Sequence, residues 1–499
     1  MEEELLNAVC VRLELYDTKS FIYWNRAVKE KDPKPECITG TPLASEPFCS
    51  GVLRALWGFR GDMRPWGEWV KRQILAIQLI DYILRGVAQV MFVNNSLSGL
   101  LIVGGLFLQN PWWALNGLLG TAISTVSAIA LRQNRDAVSA GLHGYNGSLV
   151  GILMAVFSAK GDWYLWLFIP NVLLSMLCPV VSSALSAITS KWDVPIFTLP
   201  FNILICLHIS ATGAAHPFFP QVCCQFQSES LNLSQVHVFL SVPVGVGQVF
   251  GCDNAWTGGV ILLALLLCSP TICFHAILGS IAGLCTGLAL AAPPADVYSG
   301  LWGYNSVLSC IAIGGVFYAL TWQTHILALT CAFFCAYVSS ATSKLMSVLS
   351  LPACTWPFCL STLIFLLLSS ANPAPCRLPL AAVSYPEENR RYLRQLKAWG
   401  RAQSSIQEAT EGMKVEKEDG VTSHGPEPLS PSSVNHFPES PADSTRCSHN
   451  NRKRKVAGRM RPLSGCQLHA VQKAAQAGFS RLSICRLRIA RFILKCRPG

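Results

Sequence analysis

Apolar residues in this chain come in long runs, and polar residues gather at its ends and in one central gap. The runs lie near 73–93, 96–109, 112–132, 137–157 and 162–188, then near 238–251, 256–269, 271–292, 300–320 and 323–350. No Asp, Glu, Lys or Arg occurs from Ser96 to Leu131, from Asn254 to Ala295 or from Val297 to Ser343. Each of these stretches exceeds the roughly 20 apolar residues needed to cross a bilayer. The pattern predicts an all-α multi-span membrane protein with five spans in each half.

The two halves are copies of one pattern. Gly86-Val-Ala-Gln89-Val90 matches Gly245-Val-Gly-Gln248-Val249, and Asn95, Gly99, Pro111 and Gly120 match Asn254, Gly258, Pro270 and Gly279. Gly141-Leu-His-Gly-Tyr-Asn146 matches Gly300-Leu-Trp-Gly-Tyr-Asn305, all at an offset of 159. Pro195-Ile-Phe-Thr198-Leu-Pro200-Phe201 matches Pro352-Ala-Cys-Thr355-Trp-Pro357-Phe358 at an offset of 157. An odd number of spans per copy inverts the second copy, and inverted repeats place a transport site at their interface. The expected fold is two inverted five-span repeats with two re-entrant half-helices around a central pore.

The predicted organisation is a cytosolic segment over 1–70, a first repeat over 71–213, an extracellular joining loop over 214–236 and a second repeat over 237–372. A cytosolic linker covers 373–450, disordered after about 400 where Ser, Pro and Glu accumulate. A basic tail covers 451–499, in which Leu482, Cys485, Ile489, Phe492 and Cys496 recur at amphipathic spacing among Arg and Lys. Such a tail can lie on anionic lipid or bind calmodulin, and Ser464 and Ser483 fit basophilic kinase sites. Arg452-Lys-Arg-Lys455 resembles a nuclear signal, but ten spans speak against it and against nucleic acid as a partner.

Charge changes the picture only at the tail. The chain has 499 residues, 51% hydrophobic and 13% charged, against about 25% charged in soluble domains. Its net charge is +11, but 14 Lys and Arg with no acids follow Thr445, and the rest carries −3. Ten spans put both termini on one side, and the basic tail makes that side cytosolic. Arg132 and Arg135 fall on the outer face against this bias, with Asp136 partly offsetting them. The joining loop then carries a usable glycosylation site at Asn232 (Asn232-Leu-Ser234). Met1-Glu-Glu-Glu lacks the features of a secretory signal, so the first span is the expected targeting element. The 21 cysteines show no zinc-like spacing and are expected to pack as small hydrophobes, with Cys223 and Cys224 the pair open to oxidation.

Candidate chemistry concentrates at repeated positions. The prolines of the two Pro-x-x-Thr-x-Pro-Phe elements break helices, and in lipid a broken helix is tolerated only where protein or a water-filled cavity covers it. Half-helices dipping to the pore are expected there, with Thr198, Thr355 and free carbonyls facing the path. Gln89 and Gln248 suit two related polar sites. Phe92, Tyr145 and Tyr304 are aromatic wall candidates, and Leu149 and Leu308 lie four residues beyond the tyrosines, on the same helical faces. Asp81 and Arg85, four apart, form a structural ion pair. The apolar runs hold no ring of charge, so the matching solute is small, neutral, planar and rich in N–H donors. No nucleophile–base pair or metal cluster occurs in the spans, which argues against an enzyme and against any cofactor.

The chain resembles the urea transporter family across about 70–400. The matching motifs are Phe92-Val-Asn-Asn95, Gln109-Asn-Pro-Trp-Trp-Ala114, Ser190-Lys-Trp-Asp193 through Phe201, Gly251-Cys-Asp-Asn254, Leu320-Thr-Trp-Gln-Thr-His325, Leu351 through Phe358 and Tyr385-Pro-Glu-Glu-Asn389. Within the family it is similar to vertebrate kidney-type members. The resemblance implies a plasma-membrane homotrimer with one pore per subunit, carrying urea passively with channel-like kinetics, and regulation by phosphorylation. It implies Gln89 and Gln248 as mouth residues and Thr198 and Thr355 as parts of two oxygen ladders. It further implies Val90, Phe92, Tyr145, Leu149, Val249, Tyr304 and Leu308 as slot walls. Bacterial relatives carry Glu where this chain has Gln248, and Gly251 stands where the first copy has Phe92, so the two slots differ. The alternative is a channel for another small neutral solute such as ammonia, water or urea analogues. Histidine lining would favour ammonia, with His143 and His325 as candidates.

Overall fold

A computed structural model describes residues 59–158, 162–213, 235–369, 375–398 and 401. Among them the regular structure is helical, apart from one isolated bridge between Tyr318 and Arg377. The first half contains α1 (Arg64–Val70), α2 (Leu75–Gln89), α3 (Ser96–Gln109), α4 (Pro111–Ala130), α5 (Arg135–Ser139), α6 (Tyr145–Val156), α7 (Phe168–Thr189) and α8 (Leu199–Thr212). The second contains α9 (Gln235–Gly247), α10 (Ala255–Cys268), α11 (Pro270–Ala289), α12 (Pro294–Tyr298), α13 (Tyr304–Ile311), α14 (Trp322–Val348) and α15 (Trp356–Leu366). A last helix, α16, covers 386–398.

The helices start where the sequence supplies caps. Asn95 accepts from the Ser98 amide to open α3, and its counterpart Asn254 accepts from the Trp256 amide to open α10. Asn110 and Ser269 cap α4 and α11, each with proline at the first helical position, where its missing N–H costs nothing. Equivalent helices pack alike: α2 on α3 and α9 on α10, α4 on α6 and α11 on α13. Gly99 is needed for the first contact, because a Cβ there would lie 2.0 Å from the Leu84 carbonyl; Gly258 repeats this at 1.9 Å from that of Pro243.

Four helical segments are long and apolar enough to cross a membrane: Pro111–Ala130, Leu165–Trp192, Pro270–Ala289 and Trp322–Val348. His237–Phe250 and Ala255–Cys268 would make a fifth if their 77° bend joins one span. Ten uninterrupted spans are therefore not what the described residues form. The run 137–157 is split, because Gly141 takes a left-handed φ of 78° and separates α5 from α6; Gly300, at 74°, does the same between α12 and α13. At 1.5 Å per residue, helices of 12–14 residues reach about 20 Å, short of a hydrocarbon core of about 30 Å.

Polarity is inverted relative to a soluble protein. Trp256 and Phe239 are 79% and 76% exposed, while Asn116, Asn171, Asn202 and Ser98 are fully buried. The buried amides are satisfied internally: Asn171 Nδ2 donates to the Asn116 carbonyl at 3.0 Å, and Ser98 Oγ to that of Ala264 at 2.7 Å. This is the arrangement hydrocarbon demands. Asp81 and Arg85 form the expected buried pair at 2.8 Å, and Arg85 Nη1 also donates to the Asp62 and Asn94 carbonyls.

The flanks differ from the expected loose segment and linker. Residues 59–70 are anchored by Asn95, whose amide donates to the carbonyls of Phe59 (2.7 Å) and Gly61 (2.8 Å). Residues 375–398 fold back through the Leu378 amide to the Phe317 carbonyl (2.9 Å) and through Asn389 Nδ2 to the Gly315 carbonyl (2.8 Å). Arg64 bonds Glu388 across the two flanks.

Candidate functional site

A cavity of about 420 Å³ opens between the first-half helices, these flanks and Val316, Phe317 and Phe358 of the second half. The end of α2 brings Gln89 and Val90 to it. The chain then turns at Phe92, which holds a left-handed φ of 61° and places its ring in the cavity wall. Phe92, Phe197, Phe317 and Phe358 form a cluster packed largely edge to face. Ring centroids lie 5.8 Å apart for Phe92–Phe317 and 4.9 Å for Phe197–Phe358. Such rings give a narrow apolar wall with fixed geometry.

Thr198 also lines the cavity. Pro195 and Pro200 bracket this residue, which precedes the first turn of α8; Thr355 precedes α15 in the same way. The Pro-x-x-Thr-x-Pro-Phe elements are therefore not helices themselves but the entry turns of two short ones. The two helix starts face each other, and the Thr198 and Thr355 hydroxyls stand 2.6 Å apart. Asn202, on α8, accepts at Oδ1 from the Thr355 amide (3.0 Å) and hydroxyl (2.9 Å). Cys359, its counterpart on α15, lies 3.2 Å from Thr198 Oγ1.

The carbonyls expected to be free are partly engaged. Phe197 and Cys354 share a left-handed turn, at φ 48° and 43°. The Tyr145 hydroxyl donates to the Phe197 carbonyl, and the Tyr304 hydroxyl to that of Cys354 at 2.7 Å. Each tyrosine thereby braces the turn that aims its threonine.

Of the residues singled out from sequence, Gln89, Val90, Phe92, Tyr145 and Thr198 line this cavity. Leu149, Val249 and Leu308 are buried in the core, and Tyr304, Gln248 and Thr355 are not among its lining. Gln89 Oε1 is buried without a hydrogen-bond partner, whereas Gln248 Nε2 donates to the Ser299 carbonyl at 2.7 Å. His143 lines the cavity with Nδ1 unpartnered; His325 instead faces His275, 3.1 Å away. Asn232, Ser464, Ser483, Cys223, Cys224 and the basic tail lie outside the described residues.

Sequence does not single out Asn202, Cys359, Phe317 or Phe358 as site residues, although Phe358 closes a repeated motif. Nor does it mark the flanks as site, although Tyr385 opens a family motif; they add Asp62, Leu380, Val383, Ser384 and Tyr385 to the cavity. The Ser384 hydroxyl lies between Asp62 (3.0 Å) and Glu388 (2.7 Å). Burial pushes the Asp62 carboxyl above its usual range, which the Ser384 hydrogen bond opposes and the Glu388 charge reinforces. One hydroxyl proton cannot serve both carboxylates at once.

A family model described as "Urea transporter" matches residues 80–370. Urea transporter 1 of Rattus norvegicus is 54% identical over 350 residues, covering 69% of this chain and 91% of the relative. Urea transporter 1 of Mus musculus is 55% identical over 342 residues, 68% of this chain and 89% of the relative. That of Ovis aries is 52% identical over the same shares. The matched residues include Gln89, Phe92, Tyr145, Thr198 and Thr355.

Proposed function

Since the chain belongs to the urea transporter family, we propose that the cavity and the threonine pair that reaches it at Thr198 lie on the route by which it carries urea across the membrane. The protein is a transporter, not an enzyme. Transport is passive and channel-like, through one pore per subunit. The observation that carries this reading is the 2.6 Å contact with Thr355 of Thr198, which lines a cavity walled by aromatic rings. Urea enters past Gln89, whose buried Oε1 has no protein donor and fits an N–H of the solute. Phe92 confines the flat molecule, and the threonine oxygens accept from its amides as water is shed. The second-half set Gln248, Val249, Tyr304 and Leu308, with Leu149 in the first, completes the slots.

The repeat offset and the two facing helix starts support two inverted repeats. In each, a short helix (α6 or α13) and a second starting at the threonine (α8 or α15) form the half-crossing elements. The resemblance supports a homotrimer in the plasma membrane. The basic tail supports cytosolic termini, an extracellular loop glycosylated at Asn232, and a kinase or calmodulin acting at the tail.

Urea uptake in oocytes expressing the full chain tests the reading, with Thr198→Val and Thr355→Val beside it. Removing one acceptor leaves a desolvated N–H unpaired at about 1–3 kcal/mol, which slows flux about fivefold to a hundredfold. Saturable, sodium-independent uptake that both variants depress at unchanged surface expression is expected; wild-type rates in both would overturn the route. His143 on the cavity wall favours ammonia as a second reading, and methylammonium competing with urea for uptake would support it.

A further inference from the structure

We propose that Asn202 and Cys359 fix the direction of a closed hydrogen-bond ring at the threonine pair, so that both threonines offer oxygen lone pairs, and no proton, to the passing solute. The proposal rests on the route argued above and adds two specificity-determining positions to it. Four buried side chains make the ring. Asn202 Oδ1 meets the Thr355 backbone N–H at 3.0 Å, and a backbone N–H can only donate, so the amide oxygen faces that side whichever way the amide is drawn. The same oxygen lies 2.9 Å from the Thr355 hydroxyl, which therefore spends its one proton on Asn202. Thr355 Oγ1 must then accept from Thr198 across their 2.6 Å contact. Thr198, its proton spent, accepts from the Cys359 thiol at 3.2 Å. Asn202 Nδ2 closes the ring on Cys359 Sγ at 3.6 Å.

A hydroxyl has one proton and two lone pairs. Each threonine in the ring donates once and accepts once, which leaves one lone pair apiece. That is a site for N–H donors and against solutes that present only acceptors. The asymmetry is what gives the ring its direction, because Asn202 and Cys359 occupy equivalent positions at the 157-residue offset. Asparagine at both would claim both hydroxyl protons and leave two oxygens facing each other with none between. Cysteine at both would bind neither proton firmly, and the pair could turn a proton toward the solute.

The test measures urea and acetamide uptake per surface copy of the full chain, for Asn202→Leu, Thr355→Val, their combination, Asn202→Cys, and the swap Asn202→Cys with Cys359→Asn. Asn202→Leu should cut urea flux about fivefold or more and lower the urea-to-acetamide ratio. Because it acts through Thr355, it should add little in the Thr355→Val background. The swap reverses the ring without opening it, and should recover most of the flux that Asn202→Cys loses. Asn202→Leu at wild-type rate and ratio overturns the proposal, as does an effect that multiplies with Thr355→Val. A swap that reaches the surface without recovering flux overturns it too. If Thr198→Val and Thr355→Val, the variants that test the route, both transport at the wild-type rate, the route itself fails, which separates the two ideas.

Discussion

Single residues here act through what they leave unpaired. Asp81 and Arg85 are each 5% exposed, and Trp66 Nε1 donates to the same carboxylate at 2.8 Å. Asp81→Leu strands the guanidinium and should destabilise the protein by about 3–5 kcal/mol, read as a lower unfolding midpoint in detergent; replacing both by leucine should cost less. Asp62 works in the opposite sense. Burial makes its carboxyl hold a proton more readily in the folded state than in the unfolded chain, so its contribution to stability falls as pH rises above the ordinary value of 3.8. The stability of Asp62→Asn relative to wild type should therefore grow as pH rises above about 4 in thermal unfolding; a constant difference would contradict this. The threonines and Gln89 were legible because the same polar residue recurs inside apolar repeats. Asn202 and Cys359 were not, because the repeat differs at that position and comparing the halves hides it.

At the scale of elements, close approach depends on missing side chains. Gly99→Ala puts a methyl group against the Leu84 carbonyl, and Gly258→Ala does the same at Pro243. Each should cost about 1–3 kcal/mol by forcing α2 from α3, or α9 from α10, seen as reduced surface expression and earlier unfolding. A Gly104→Ala control, with open space at its Cβ, should be silent. Charge-free runs located most of these helices, since burial in lipid forbids charge along a whole span. Where the runs break was hidden, because α5, the turn at Gly141 and α6 are all apolar enough to read as one span. The break depends on backbone conformation, which hydropathy does not encode.

For the whole molecule, the flanks close onto the same cavity as the membrane helices. Residues 59–62 and 376–385 have no hydrophobic period, since polar contacts to backbone carbonyls and a carboxylate cluster hold them beside the few apolar contacts of Leu378, Leu380 and Val383. They nonetheless wall the cavity through Asp62, Leu380, Val383, Ser384 and Tyr385. A chain stopped after residue 401 should take up urea at close to the full-length rate per surface copy. One stopped after residue 375 should lose most uptake, as should Asn389→Ala to a lesser degree, because Asn389 Nδ2 holds the segment to Gly315 and Val316. Equal uptake in both truncations would show that the flanks only cover the cavity.

The meeting of two helix starts at Thr198 and Thr355 has an electrical consequence. Each helix start carries about half a positive charge, so two together oppose a monovalent cation about 5 Å away by about 3 kcal/mol at an effective dielectric of about 20. A dipolar molecule with no net charge is not opposed in this way. The route can then stand open to its solute while the membrane keeps its voltage and its proton and sodium gradients, and a cell can relieve an osmotic difference without running down its ionic ones.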